Sequence, residues 1–149
     1  MLPSRHFIVS FSLGAIIYYF TKSIAAGVIC LFAGVLVDLD HIIDYVINVG
    51  LKEFNFKEMY WDCIKLPHQK ESSKIKHVFL FFHSWEMVVL LWLVYIFTRN
   101  IYMLAFSVGY TGHIFLDSAA RALNPLAYSL IYRIKRNLKP MKFLHSRFK

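Results

Sequence analysis

The sequence predicts an all-α fold: a four-helix transmembrane bundle of two helical hairpins, with amphipathic helices at the membrane interface. Three observations carry that expectation. Hydrophobic residues make up 58% of the 149-residue chain, above the roughly 45–50% of a soluble domain. They fall in four long blocks that hold very few charges. The 17 Lys and Arg residues outnumber the 9 Asp and Glu, and they cluster in particular connections between the blocks. The length suits a single domain spanning residues 1–149.

The first block, residues 7–20, is read as a helix over about 6–20. Its basic start and apolar run resemble a signal peptide. It ends in Tyr18, Tyr19 and Phe20, which suit an interfacial anchor better than a small-residue cleavage site, so the segment is expected to be retained. The turn Thr21-Lys22-Ser23 then leads into the second block, residues 24–37, read as a helix over about 24–40. The stretch 38–77 is polar and carries six lysines, and within it FNFKEMYWDCIKL reads as a short interfacial helix. Residues 67–73 read as a loop.

The third block, residues 78–97, is long enough to span outright, since a crossing helix needs about 17–25 residues. It is read as a helix over about 77–97. Thr98-Arg99-Asn100 turns the chain into a fourth helix over about 101–120. The other three blocks are short unless their polar flanks snorkel or face protein. Gly14, Gly109 and Gly112 would allow close helix packing. Asn124-Pro125 then starts an amphipathic helix over about 124–136, followed by a basic tail at 137–149.

Charge sets the orientation. The amino terminus, the 38–77 stretch and the region after Ser118 together hold 15 of the Lys and Arg residues, and the two short turns hold 2. The positive-inside rule places both termini and the central loop in the cytoplasm, and with them a multi-pass protein in the cell (inner) membrane. The basic excess therefore calls for membrane lipid as a partner, and no nucleic acid is expected. Cys30 and Cys63 form no CxxC pair or disulfide framework.

Ionisable residues on apolar helices are a functional-site hypothesis. Here they gather at one end of the bundle. His6 begins the first helix; Asp38, Asp40 and His41 end the second; His77 and His83 begin the third; His113 and Asp117 end the fourth. All these ends share the cytoplasmic face in an up-down-up-down bundle. Asp38/His41 and His83/Glu86 are spaced i,i+3, and His113/Asp117 i,i+4, so each pair shares a helix face. Imidazole with carboxylate suits Zn, Mn or Fe, one or two ions. His6, Asp38, His83, His113 and Asp117 are the expected ligands. Asp40 and His41 would complete or orient the metal shell, and Glu86 or His77 would act as general acid or base. Each also has a plainer role open to it: an interfacial imidazole at His6, a helix end at Asp38 and Asp40, mutual pairing of His83 with Glu86. Asp44 is left open. His68 and His145 read as surface residues.

DLDHIIDY (38–45), FHSWE (82–86) and GHIFLD (112–117) resemble the LexA-binding, inner-membrane-associated metal-dependent hydrolase family. That family's early His, Asp-x-Asp-His, His-Ser and late His-x-x-x-Asp fall on His6, Asp38, Asp40, His41, His83, Ser84, His113 and Asp117. Val37 stands where the family usually has Pro, which marks a divergent member. The resemblance implies a membrane-bound hydrolase; a phosphoester or lipid is the expected substrate. The rival expectation is a non-catalytic membrane scaffold whose structural metal or polar cluster docks a cytoplasmic partner. Transport of metal or protons would need polar residues continuing across the membrane, and the opposite halves of these helices are nearly free of charge.

Overall fold

The computed structural model describes residues 3–65, 76–120 and 125–139. Among them the chain is helical with no strand. Helix α1 (Pro3–Thr21) is stopped by Lys22, whose φ of 54° is left-handed and whose N–H returns to the Tyr18 carbonyl at 2.8 Å. Ser23 caps α2 (Ile24–Leu36) by accepting from the Ala26 N–H. A 3-10 turn (Val37–Leu39) joins α2 to α3 (Asp40–Val49). The second helix therefore does not end near residue 40 as expected. The helical path continues to Val49 because Asp40 and Asp44 find partners inside the protein, described below. Gly50, at φ 87°, ends it.

The interfacial helix expected after this point is α4 (Phe56–Lys65), capped by Asn55. Ser84 caps α5 (Trp85–Thr98), which Arg99 ends at φ 51°. The third helix is thus shorter than the expected 77–97, because residues 77–84 are held as an irregular segment. Helix α6 (Ile101–Ala120) follows, its first turn capped by Asn100. The expected helix 124–136 is broken into a 3-10 turn (Pro125–Tyr128) and α7 (Leu130–Lys135), with Ser129 capping the latter. Residues 67–73, His68, His145, Asn124 and the tail from residue 140 lie outside the described residues.

Helix α2 packs between α1 and α6, and α5 lies along α6. Backbones approach closely where small residues meet. A Cβ on Gly109 would overlap the Cys30 carbonyl, and one on Gly34 would overlap the Ser10 hydroxyl. Ala26, Cys30 and Ala105 form the core of that three-helix contact. Val37, Val88, Tyr110 and Ile114 form a second core, and Tyr45, Met59, Val78, Leu80, Ala127 and Tyr128 a third.

The polarity of this packing is inverted relative to a water-soluble bundle. Phe7, Phe11, Phe20, Leu90, Leu93 and Phe97 face outward, while His6, Ser10, Asp40, Asp44, His83, Ser107, His113, Asp117 and Arg133 are buried. One helical path, Ile24–Val49, is long and apolar enough to cross a membrane. Helix α7 follows the same inversion: Ile131 and Ile134 point outward and Arg133 inward.

Candidate metal centre

Four separate pieces of chain supply the centre. His6 comes from the first turn of α1, Asp38 from the 3-10 turn after α2, His83 from the residue preceding the α5 cap, and His113 and Asp117 from the last turns of α6. His6, His83, His113 and Asp117 are each at most 2% exposed. Asp38 is 36% exposed at its side chain, so the cluster opens on its side.

Three donor atoms form a closed triangle. His83 Nε2 lies 3.2 Å from His113 Nε2, and Asp38 Oδ1 lies 3.6 Å from the first and 3.5 Å from the second. A tetrahedral ion with bonds of about 2.0–2.1 Å separates its ligands by roughly 3.3–3.4 Å. The edges of the triangle, 3.2, 3.5 and 3.6 Å, bracket that separation. Asp117 adds Oδ2 at 4.0 Å from His83 Nε2, and its Oδ1 lies 3.2 Å from His6 Nε2. His41 Nε2 approaches Asp38 Oδ1 at 3.9 Å. The triads His6/Asp38/His113, Asp38/His41/His83 and His83/His113/Asp117 each bring their donor atoms within 4.8 Å of one another. These buried His and Asp groups could hold a metal ion.

The rings are oriented for that purpose. His113 Nδ1 is 2.7 Å from the Gly34 carbonyl, so it carries the proton and leaves the Nε2 lone pair aimed at the triangle. His83 Nδ1 faces Asp40 Oδ2 at 3.5 Å, in the same relation. Burial by itself would lower the proton affinity of His83, but the Asp38 and Asp40 carboxylates outweigh it and hold its pKa above the ordinary value. His6 stacks on His113 with ring centroids 4.1 Å apart; its Nε2 faces the Asp117 carboxylate, and its buried Nδ1 lacks a hydrogen bond. A buried polar atom without a partner is costly, and a bound cation is a partner that would remove the cost.

The segment before His83 is held from two sides. Asp40, Asp44 and Asn48 recur at i, i+4 and i+8, on one face of α3. Asp40 Oδ2 accepts from the N–H groups of Phe82 (2.7 Å) and His83 (3.2 Å). Asp44 Oδ1 accepts from Phe79 (3.1 Å) and Leu80 (3.2 Å). Asn48 Oδ1 accepts from Lys76 and His77. On the other side, Arg133 donates to the carbonyls of Phe79 (2.7 Å) and His83 (3.0 Å), and the Tyr110 hydroxyl donates to that of Phe82. These bonds replace helical ones, which is why residues 77–84 stay out of α5.

Two expected site residues are placed elsewhere. Glu86 accepts from the Ser129 hydroxyl (2.6 Å) and from the N–H groups of Leu130 (2.9 Å) and Ile131 (3.2 Å). Its carboxylate caps α7, where the helix N-terminus attracts an anion. His77 belongs to none of the three triads; its backbone is bound by Asn48. Asp40 lies behind His83, in the orienting role. Sequence reasoning missed Asn48 and Arg133, and left Asp44 open. The i,i+4,i+8 spacing from Asp40 was the available signal for the first and third; Arg133 had none, because a basic residue in a basic helix looks like a surface charge.

Comparison of the chain with protein-family models, curated proteins and solved structures gives no match.

Proposed function

We propose that the chain is a membrane-embedded, metal-dependent hydrolase whose centre opens on the cytoplasmic face and acts on a phosphoester or lipid. The observation that carries this reading is the triangle of His83, His113 and Asp38, with Asp117 and His6 beside it. The inverted packing, apolar side chains outward and ionisable ones inward, supports a membrane setting. So does the distribution of Lys and Arg. The resemblance of residues 38–45, 82–86 and 112–117 to the LexA-binding, inner-membrane-associated metal-dependent hydrolase family supports the reaction class.

His83, His113, Asp38 and Asp117 would hold the ion, with His6 and His41 available to a second. Bound there, a divalent ion, Zn by the chemistry of this donor set, supplies Lewis-acid polarisation of a phosphoryl or acyl oxygen. The protein's own part is orientation and proton handling. Gly34 and Asp40 fix the two imidazoles, and the buried walls keep water from the ligand side. With Glu86 engaged at α7, His41, beside the open edge at Asp38, is the imidazole that would move a proton where a single ion is bound.

Metal analysis of detergent-purified protein is the test. Wild type is expected to hold one or two equivalents of Zn, Mn or Fe and to hydrolyse bis(p-nitrophenyl) phosphate or phosphatidic acid in vesicles. His83→Ala and Asp117→Ala should lower metal affinity and activity by about 100-fold or more, since even residues that only support ligands cost 10–100-fold. Wild type free of metal would overturn the reading. Stoichiometric metal with no hydrolysis would favour the scaffold alternative.

A further inference from the structure

Arg133 is the largest fully buried side chain among the described residues, at 1% exposure. Burying a guanidinium is expensive unless its donors and charge are met. The proton affinity of Arg133 is pulled down by burial and held up against it by Asp44, Asp40 and Glu86. Its fork does not end on a side chain that needs an ion pair; it ends on two backbone carbonyls, those of Phe79 and His83. Phe79 immediately precedes, and His83 ends, a tight turn closed by the His83 N–H returning to the Leu80 carbonyl at 3.0 Å. Leu80 sits in that turn at φ 39°, a conformation that non-glycine residues avoid and that persists only where neighbours impose it. Asp44 holds the Leu80 N–H on one side, and Arg133 spans the turn on the other. The last residue of the turn is His83.

We infer that Arg133 is a further positioning residue of the centre: by clasping the 79–83 segment on both sides of its turn it sets the backbone that carries the His83 imidazole, so that docking of α7 and metal binding are one coupled event. This rests on the metal reading above. Two further contacts link the same elements. Glu86, three residues beyond His83, caps α7, and the Val78 N–H donates to the Leu138 carbonyl at 2.9 Å. A purely space-filling role would be served by an apolar side chain at lower cost. A lysine keeps the charge but lacks the planar fork that reaches two carbonyls at once.

The experiment uses full-length protein in detergent and Co²⁺ as the probe, read by titration calorimetry and by the visible d–d band. Arg133→Lys and Arg133→Met are expected to bind Co²⁺ about 10–100-fold more weakly than wild type and to shift or weaken the band. Ile17→Ala loosens the α1–α2–α6 contact far along α1 from His6; it should lower the unfolding temperature yet keep the wild-type band and affinity. Folded Arg133 variants with Co²⁺ affinity within about twofold of wild type and an unchanged band would overturn the inference alone. If Arg133→Met does not fold, Arg133→Lys decides by the same criterion. Unfolding of both would overturn it too, because Arg133 would then serve the fold and not the site. Wild type that takes up no Co²⁺ would overturn the metal reading beneath it.

Discussion

At the scale of single residues, the two imidazoles of the triangle differ in how they are tuned. His113 is fixed by a neutral carbonyl from α2, at Gly34. His83 is fixed by a carboxylate, at Asp40, and faces a second, at Asp38. Those anions favour its protonated form, so its pKa in the folded protein is raised. The sign of the linkage follows. A raised value adds stability that is fully present below the ordinary imidazole pKa of about 6.5 and is lost as pH rises through the folded value. A metal ion needs the neutral ring and so competes with that proton. The metal-free protein should therefore lose thermal stability as pH rises above about 6.5, while the stabilisation added by metal grows over the same window. Thermal unfolding with and without chelator across a pH series checks this. A metal-free unfolding temperature that climbs with pH would count against the assigned role of Asp38 and Asp40.

At the scale of elements, the centre depends on how closely three helices approach. Gly109 rests on the Cys30 backbone, and Gly34 lies against Ser10 and Gly109. His113 is one turn beyond Gly109 on α6, and Gly34 supplies the carbonyl that orients it. An added methyl at Gly109 must push α6 off α2 at the height of the centre. Gly109→Ala should cost about 1–3 kcal/mol by overpacking and weaken metal binding with it, measured by chemical unfolding and metal titration on the same preparation. Stability and affinity both equal to wild type would mean that the close approach is not required. The sequence announced Gly109 as a close-packing residue, but neither Gly34 nor the irregular segment 77–84. Val78 to Phe82 read as apolar helix, but Asp40 and Asp44 on α3 draw off the N–H groups of Phe79, Leu80 and Phe82, and the Leu138 carbonyl takes that of Val78.

At the scale of the whole molecule, the apolar exterior and the ionisable interior are what the proposed membrane setting requires. The proposed topology places the Thr21–Ser23 and Thr98–Asn100 turns on the side opposite the centre. In a background lacking Cys30 and Cys63, single cysteines at Lys22 and Arg99 should react with an impermeant thiol reagent from outside intact cells. Cysteines at Lys57 and Lys135 should react only after the cells are opened. Labelling in the reverse order, or protein recovered in the soluble fraction, would overturn the placement. The proposed orientation rests on charge counted along the chain, while the burial of the centre is read from the fold: four ligand-type residues at most 2% exposed, and Asp38 at the opening.

Periodicity, turn chemistry and capping residues are local properties, so the sequence by itself determined the all-helical class, the short connections at Lys22 and Arg99, and the candidate ligands near the ends of the apolar segments. It also singled out the ligand types, since a buried His or Asp needs a reason wherever it lies. What only the tertiary structure decided is which of them meet and what holds them. Along the chain Asp40 and Glu86 are both acids on apolar segments beside a candidate ligand, yet one orients His83 and the other caps α7. Arg133 looks like one more surface charge and is the most deeply buried cation described. Those roles depend on partners 42 to 54 positions away along the chain, and no local pattern records a partner at that distance.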